Sequence, residues 1–197
     1  MALVALLPAA LVYGLALALS QRGGITDLEL VIRDLAQTCG EPLGVGLISN
    51  LGYLLWMATA AICLFTACSS LIQPRGRPRE LLLAGGALSL LLCLDDMFLL
   101  HDRYISANVL YGAYIVFALT ILLRHRPLLR RLGLGQFLLP VALLGSWLLV
   151  DRFQDALPIA YGPGQLMEEG VKFLGIAAWL CFWWQAAAGA AKLRTAP

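Results

Sequence analysis

Residues 81–103 read LLLAGGALSLLLCLDDMFLLHDR, with no charged side chain before Asp95. A helix needs about 20 predominantly apolar residues to cross a hydrocarbon core of about 30 Å, and this run supplies that length. Five further runs have the same character: 2–19, 48–72, 106–123, 135–151 and 166–188, with the quoted segment spanning 81–102. Their boundaries have physical causes. Gln21-Arg22-Gly23-Gly24 ends the first, and Pro74-Arg75-Gly76-Arg77-Pro78-Arg79 separates the second from the third. Arg124-His125-Arg126-Pro127 with Arg130 and Arg131 ends the fourth, and Pro158 with Tyr161-Gly162-Pro163-Gly164 divides the fifth from the sixth. The expected fold is an all-α polytopic transmembrane helical bundle of six spans, a single transmembrane domain over 1–197.

Composition agrees. Of 197 residues, 60% are hydrophobic and 13% charged, against about 45–50% and about 25% in soluble domains. A net charge of +2 without basic–aromatic interleaving gives no footprint for a nucleic-acid partner. Five cysteines, without a C-x-x-C pair, exclude a disulfide framework or zinc cluster as the organising principle.

Lys and Arg in short loops set orientation. Arg75, Arg77, Arg79, Arg124, Arg126, Arg130, Arg131, Lys192 and Arg194 place nine of the 14 basic residues on one side, expected to be cytoplasmic together with both termini. Eleven of the 12 acidic residues fall on the opposite side, the exception being Glu80. A bacterial inner membrane with the acidic face outward is the expected location. Ala16-Leu17-Ala18 has the form of a signal cleavage site, but no basic region precedes the first run, so a retained helix is expected.

Between the first two spans, Thr26-Asp27-Leu28-Glu29 has the form of a capping box. Leu28, Val31, Ile32 and Leu35 follow at helical spacing, predicting an interfacial amphipathic helix over about 27–38.

Ionisable side chains inside a span are expensive, and each is a functional-site hypothesis. Asp95 and Asp96 lie within the third span, with His101, Asp102 and Arg103 near its end; Asp151 and Arg152 close the fifth, and Glu168, Glu169 and Lys172 open the sixth. On a continuous helix at 100° per residue, Asp95 and Asp102 share a face, Asp96 aligns with Arg103, and His101 points about 120° away from Asp95. Lys172 lies at i+4 from Glu168 and i+3 from Glu169 and pairs with either. Seven carboxyls, counting Asp155, face three cations at this level. A buried excess must hold protons or share a cation, and oxygen ligands with one imidazole suit Mg²⁺, Mn²⁺ or Ca²⁺. The candidate ligands are Asp95, Asp96, His101, Asp151, Glu168 and Glu169, supported by Asp102, Arg103, Arg152 and Lys172. Carboxylates near helix ends also serve as solvated or helix-bridging groups, the plainer reading for Asp102, Asp155 and Arg152. His125 is expected to be solvated in a basic loop. Trp179, Trp183 and Trp184 are expected at lipid or in an interfacial belt, and Gly85, Gly86, Gly170 and Gly175 at close helix contacts.

The combination Asp95-Asp96 with His101-Asp102, then Glu168-Glu169-Gly170-x-Lys172-x-x-Gly175 with Trp179, resembles a set of uncharacterised bacterial multipass membrane proteins. The resemblance covers the third to sixth spans; it implies a helical fold and an important acidic level, with no activity to carry over. Ceramidase-like hydrolases need several histidines, and membrane prenyltransferases need D-D-x-x-D, where Leu99 stands here. Three roles remain open: binding or relay of a cation or proton, metal-dependent chemistry on a lipid substrate, and assembly within a membrane complex.

Overall fold

The computed structural model describes residues 2–25, 27, 38–42, 44–69, 75–153 and 161–192. Among these, all regular structure is helical: α1 Ala2–Arg22, α2 Leu47–Cys68, α3 Arg77–Phe98, α4 Leu100–Arg103, α5 Ala107–Leu132, α6 Leu134–Phe153 and α7 Tyr161–Lys192. The chain divides into two compact units, Met1–Leu47 and Ile48–Pro197. In the first, α1 follows from its uninterrupted apolar run, and Gly23 and Gly24 form the turn that ends it. The interfacial helix expected over 27–38 falls outside the described residues apart from its two ends, as does Asp155.

The second unit holds five helices long and apolar enough to cross a membrane: α2, α3, α5, α6 and, within α7, Pro163–Ala191. Their bounds correct the sequence expectation in five places. The second span ends at Cys68 rather than 72. The third starts at Arg77, because Gly76 takes a positive φ of 62° and Pro78 suits the first turn. It stops at Phe98 rather than 102, where Leu99 turns into the left-handed region. The fourth runs past Arg124-His125-Arg126-Pro127 to Leu132; Pro127 removes one backbone donor without ending the helix, and Gly133, at φ 107°, ends it instead. The last begins at Tyr161, so Pro163 and Gly164 sit in its first turn.

The core is aromatic and tightly approached. Trp179 and Trp183 stack edge-on at 5.4 Å, with Phe137 5.8 Å from Trp179 and Phe182 5.1 Å from Trp183. Both tryptophans are buried, contrary to the lipid-facing expectation, and only Trp184 of the three is exposed. Small residues make this possible. A Cβ on Gly85 would lie 2.3 Å from Trp183, one on Gly86 2.8 Å from Leu64, and one on Gly175 2.9 Å from Leu144. The expectation of close helix contact therefore holds for these three, whereas a Cβ on Gly170 would meet nothing. The Trp179 indole N–H donates to Ser89 Oγ at 2.9 Å, and that hydroxyl donates to the Gly85 carbonyl at 2.7 Å. His125 is buried inside α5 rather than solvated, since the helix it was expected to terminate continues through it.

Candidate functional site

At one end of the second unit, α3, α4, α5, α6 and the start of α7 bring polar side chains together in apolar surroundings. The break after α3 is what assembles the first pair. Leu99 adopts φ 52°, ψ 45°, a conformation an L-residue enters at a cost of about 1–2 kcal/mol. Its N–H bonds back to the Asp95 carbonyl, and the chain re-enters a helix at Leu100. The His101 backbone N–H then donates to Asp95 Oδ1 at 2.9 Å, and His101 Nδ1 lies 2.9 Å from the same oxygen. One carboxylate both caps α4 and holds its imidazole. The continuous-helix reading, which paired Asp95 with Asp102 and sent His101 elsewhere, is corrected by this single left-handed residue.

His101 is a bridge. Its Nε2 stands 3.6 Å from Asp102 Oδ1, and the Asp102 side chain is 55% exposed whereas that of Asp95 is 2% exposed. The bond to Asp95 raises the His101 pKa above the ordinary imidazole value; burial opposes it, while the charges of Asp95, Asp102 and Asp151 add to it. The His101 ring lies 5.5 Å from that of Tyr111. The Tyr111 hydroxyl donates to Asp151 Oδ2 at 2.5 Å. Tyr114, one turn along α5 from Tyr111, buries its hydroxyl beside Asp95, with which it interacts.

Asp96 points to a different helix. Its Oδ1 accepts from Lys172 Nζ at 2.5 Å, and both side chains are at most 10% exposed. Lys172 also stands 3.7 Å from Glu169 Oε1 and 4.9 Å from the Trp147 ring centroid, where the ring face adds cation–π attraction. Thus Lys172, not Arg103, answers Asp96, and of its two helical neighbours it reaches Glu169. Asp96 Oδ2 is buried without a partner among the described residues. Glu168 is buried and accepts from Gln165 Nε2 at 3.1 Å. Arg103 is exposed at the end of α4, and Arg152 Nε donates to Asn108 Oδ1 at 3.1 Å.

The carboxyls therefore sort into separate, partnered positions. Among the described residues, no three His, Cys, Asp or Glu side chains converge closely enough to hold a metal ion. What the arrangement offers chemically is proton exchange: a buried carboxylate, an imidazole on it, and an exposed carboxylate on the imidazole's far nitrogen. Trp147, Asn108 and Gln165 were not legible as members. Trp147 lies in an ordinary apolar run, and its buried indole interacts with Glu168.

At the opposite end, Arg124 donates to Glu80 Oε2 from Nε at 3.2 Å and Nη2 at 2.8 Å. Both side chains are exposed, so this pair contributes little stability.

Neither a curated protein nor a solved structure matches the chain. A family model does: the one described as Domain of unknown function (DUF8692) matches residues 2–186, and the chain belongs to that family.

Proposed function

We propose that this member of a family of unknown function is a proton-binding carrier element of a bacterial inner membrane, with six spans, both termini cytoplasmic and the acidic end outward. The observation that carries the reading is the Asp95–His101–Asp102 series. It leads from an exposed carboxylate through an imidazole to a buried carboxylate in two steps of 3.6 and 2.9 Å. Imidazole is the side chain whose ordinary pKa lies closest to neutrality, which suits such a handover. The basic clusters at the other end support the orientation by the positive-inside rule.

Below Asp95 the core is closed by Trp179, Trp183, Phe137 and Phe182. On this reading protons load from the acidic end, and crossing requires a conformational change, as in a carrier rather than a channel. Asp96 and Lys172 form a second, buried pair. A divalent ion shared by Asp95, Asp96, His101, Asp151, Glu168 and Glu169 requires a further gathering of these side chains, so proton exchange is the better-supported form of the site.

Asp95→Asn separates the role from the scaffold, because the amide oxygen still caps α4 but the group no longer exchanges a proton. In proteoliposomes under a potassium diffusion potential, an internal pH dye should report flux above empty vesicles for the wild type and background for Asp95→Asn. Equal flux in both, or none in either, overturns the proposal and leaves the network a packing device.

A further inference from the structure

Between α5 and α6 lies a groove of about 590 Å³, walled by Asn108, Gly112 and Ile115 on one helix and Gly145, Leu149 and Arg152 on the other. A cavity of about 160 Å³ adjoins it, sharing Ile115, Gly145 and Leu148 as walls and extending inward to Leu122. From Asn108 to Leu122 the pair runs about 21 Å along α5, at about 1.5 Å per residue. That exceeds one leaflet's half of a core about 30 Å thick.

Two glycines open the floor of this groove. Gly85, Gly86 and Gly175 are filled against by neighbouring side chains, whereas a Cβ on Gly112 or Gly145 would meet no atom of the described residues within 4 Å. Glycine is a poor helix former, and at these two positions in α5 and α6 it leaves the backbone open to the groove. The groove also has a chemical polarity. It is apolar along most of its length and ends at Arg152, which is exposed, donates through Nε to Asn108 and lies 5.9 Å from the Phe153 ring centroid. Its partners among the described residues are Asn108 and the Phe153 ring, and no carboxylate among them lies within ion-pair distance. A guanidinium at the interface end of an apolar slot complements a phosphodiester carrying a long chain.

We propose that the groove seats one acyl chain of an anionic phospholipid from the leaflet at the acidic end, with its phosphate on Arg152 and its chain across Gly112 and Gly145. The site is independent of proton exchange and stands or falls without it. The lipid lies against Tyr111, which links the groove to Asp151, so lipid occupancy and the polar network share a wall.

The test is native mass spectrometry of the full chain in detergent, titrated with dioleoyl phosphatidylglycerol or dioleoyl phosphatidylcholine. The wild type should retain one phosphatidylglycerol with at least tenfold preference over phosphatidylcholine. Arg152→Gln should bring that preference close to one. Gly112→Leu and Gly145→Leu should each lower phosphatidylglycerol retention tenfold or more; they enter from opposite helices, and either folded variant decides the matter. Retention of lipid by a folded leucine variant at the wild-type level overturns the proposal, as does an unchanged headgroup preference in Arg152→Gln. A wild-type dimer that excludes lipid also overturns it, by giving the groove to a second copy.

Discussion

Removing Lys172 while keeping Asp96 tests the buried pair directly. Lys172→Met preserves length and leaves a thioether against the Trp147 ring, so packing is little disturbed. What remains is a carboxylate whose side chain is 7% exposed, with its Oδ2 already unpartnered among the described residues and its Oδ1 now deprived of the ammonium at 2.5 Å. Breaking a buried ion pair from one side costs about 3–5 kcal/mol, because the surviving charge stays desolvated. For a chain of this size each kcal/mol shifts the unfolding midpoint by roughly 2–4 °C, so Lys172→Met should lower it by roughly 6–20 °C. The double variant Asp96→Leu with Lys172→Met removes both charges and should recover to within about 1 kcal/mol of the wild type, since apolar replacement of a whole buried pair is often neutral. Thermal unfolding in detergent, followed by tryptophan emission, gives both numbers and hence the coupling. Should Lys172→Met unfold within 2 °C of the wild type (roughly 1 kcal/mol or less), or the double variant be as unstable as the single, the pair does not carry the energy assigned to it.

Three other outcomes follow from particular residues. The His101 pKa is raised in the folded protein, so its contribution is fully present below the ordinary value of about 6.5 and is lost as pH rises through the higher folded value; the stability gap between wild type and His101→Asn should shrink over that window in a pH series of unfolding curves. Gly85→Ala places a methyl 2.3 Å from Trp183 and should cost about 1–3 kcal/mol by overpacking, while Gly112→Ala meets no atom and should gain up to about 1 kcal/mol of helix propensity; opposite signs in the same melting assay are the expected result. Leu99→Gly relieves the left-handed backbone and should be neutral to about 1 kcal/mol more stable, whereas β-branched Leu99→Ile should lose about 1 kcal/mol or more, with the His101 imidazole NMR signal losing the shift imposed by Asp95.

Membrane character was legible in the chain because it depends on local quantities. The length of an apolar run and the Lys and Arg at its ends act through the bilayer, whichever helices become neighbours. The same holds for Gly85, Gly86 and Gly175, whose small size is an intrinsic property, and for the concentration of carboxylates at one level. Span ends were less legible. Pro127 and the arginines around it have the form of a break, yet a proline near a helix end removes one donor and leaves the rest of the ladder intact, so α5 continues to Gly133.

Which carboxylate meets which cation was decided only by tertiary structure. A periodic helix assigns His101 to the wrong face of α3, and no side chain signals that Leu99 will turn left-handed. That conformation is unfavourable for the isolated residue and persists because the turn it creates lets Asp95 hold both the His101 amide and its ring. Lys172 is similar: its helical neighbours Glu168 and Glu169 are visible in sequence, but the partner 76 positions earlier, Asp96, is chosen by the packing of α7 beside α3. The sequence alone determined an apolar helical chain with its carboxylates near one end; pairing those carboxylates needed contacts between distant helices, because charge energies inside a bilayer depend on distances that local periodicity does not specify.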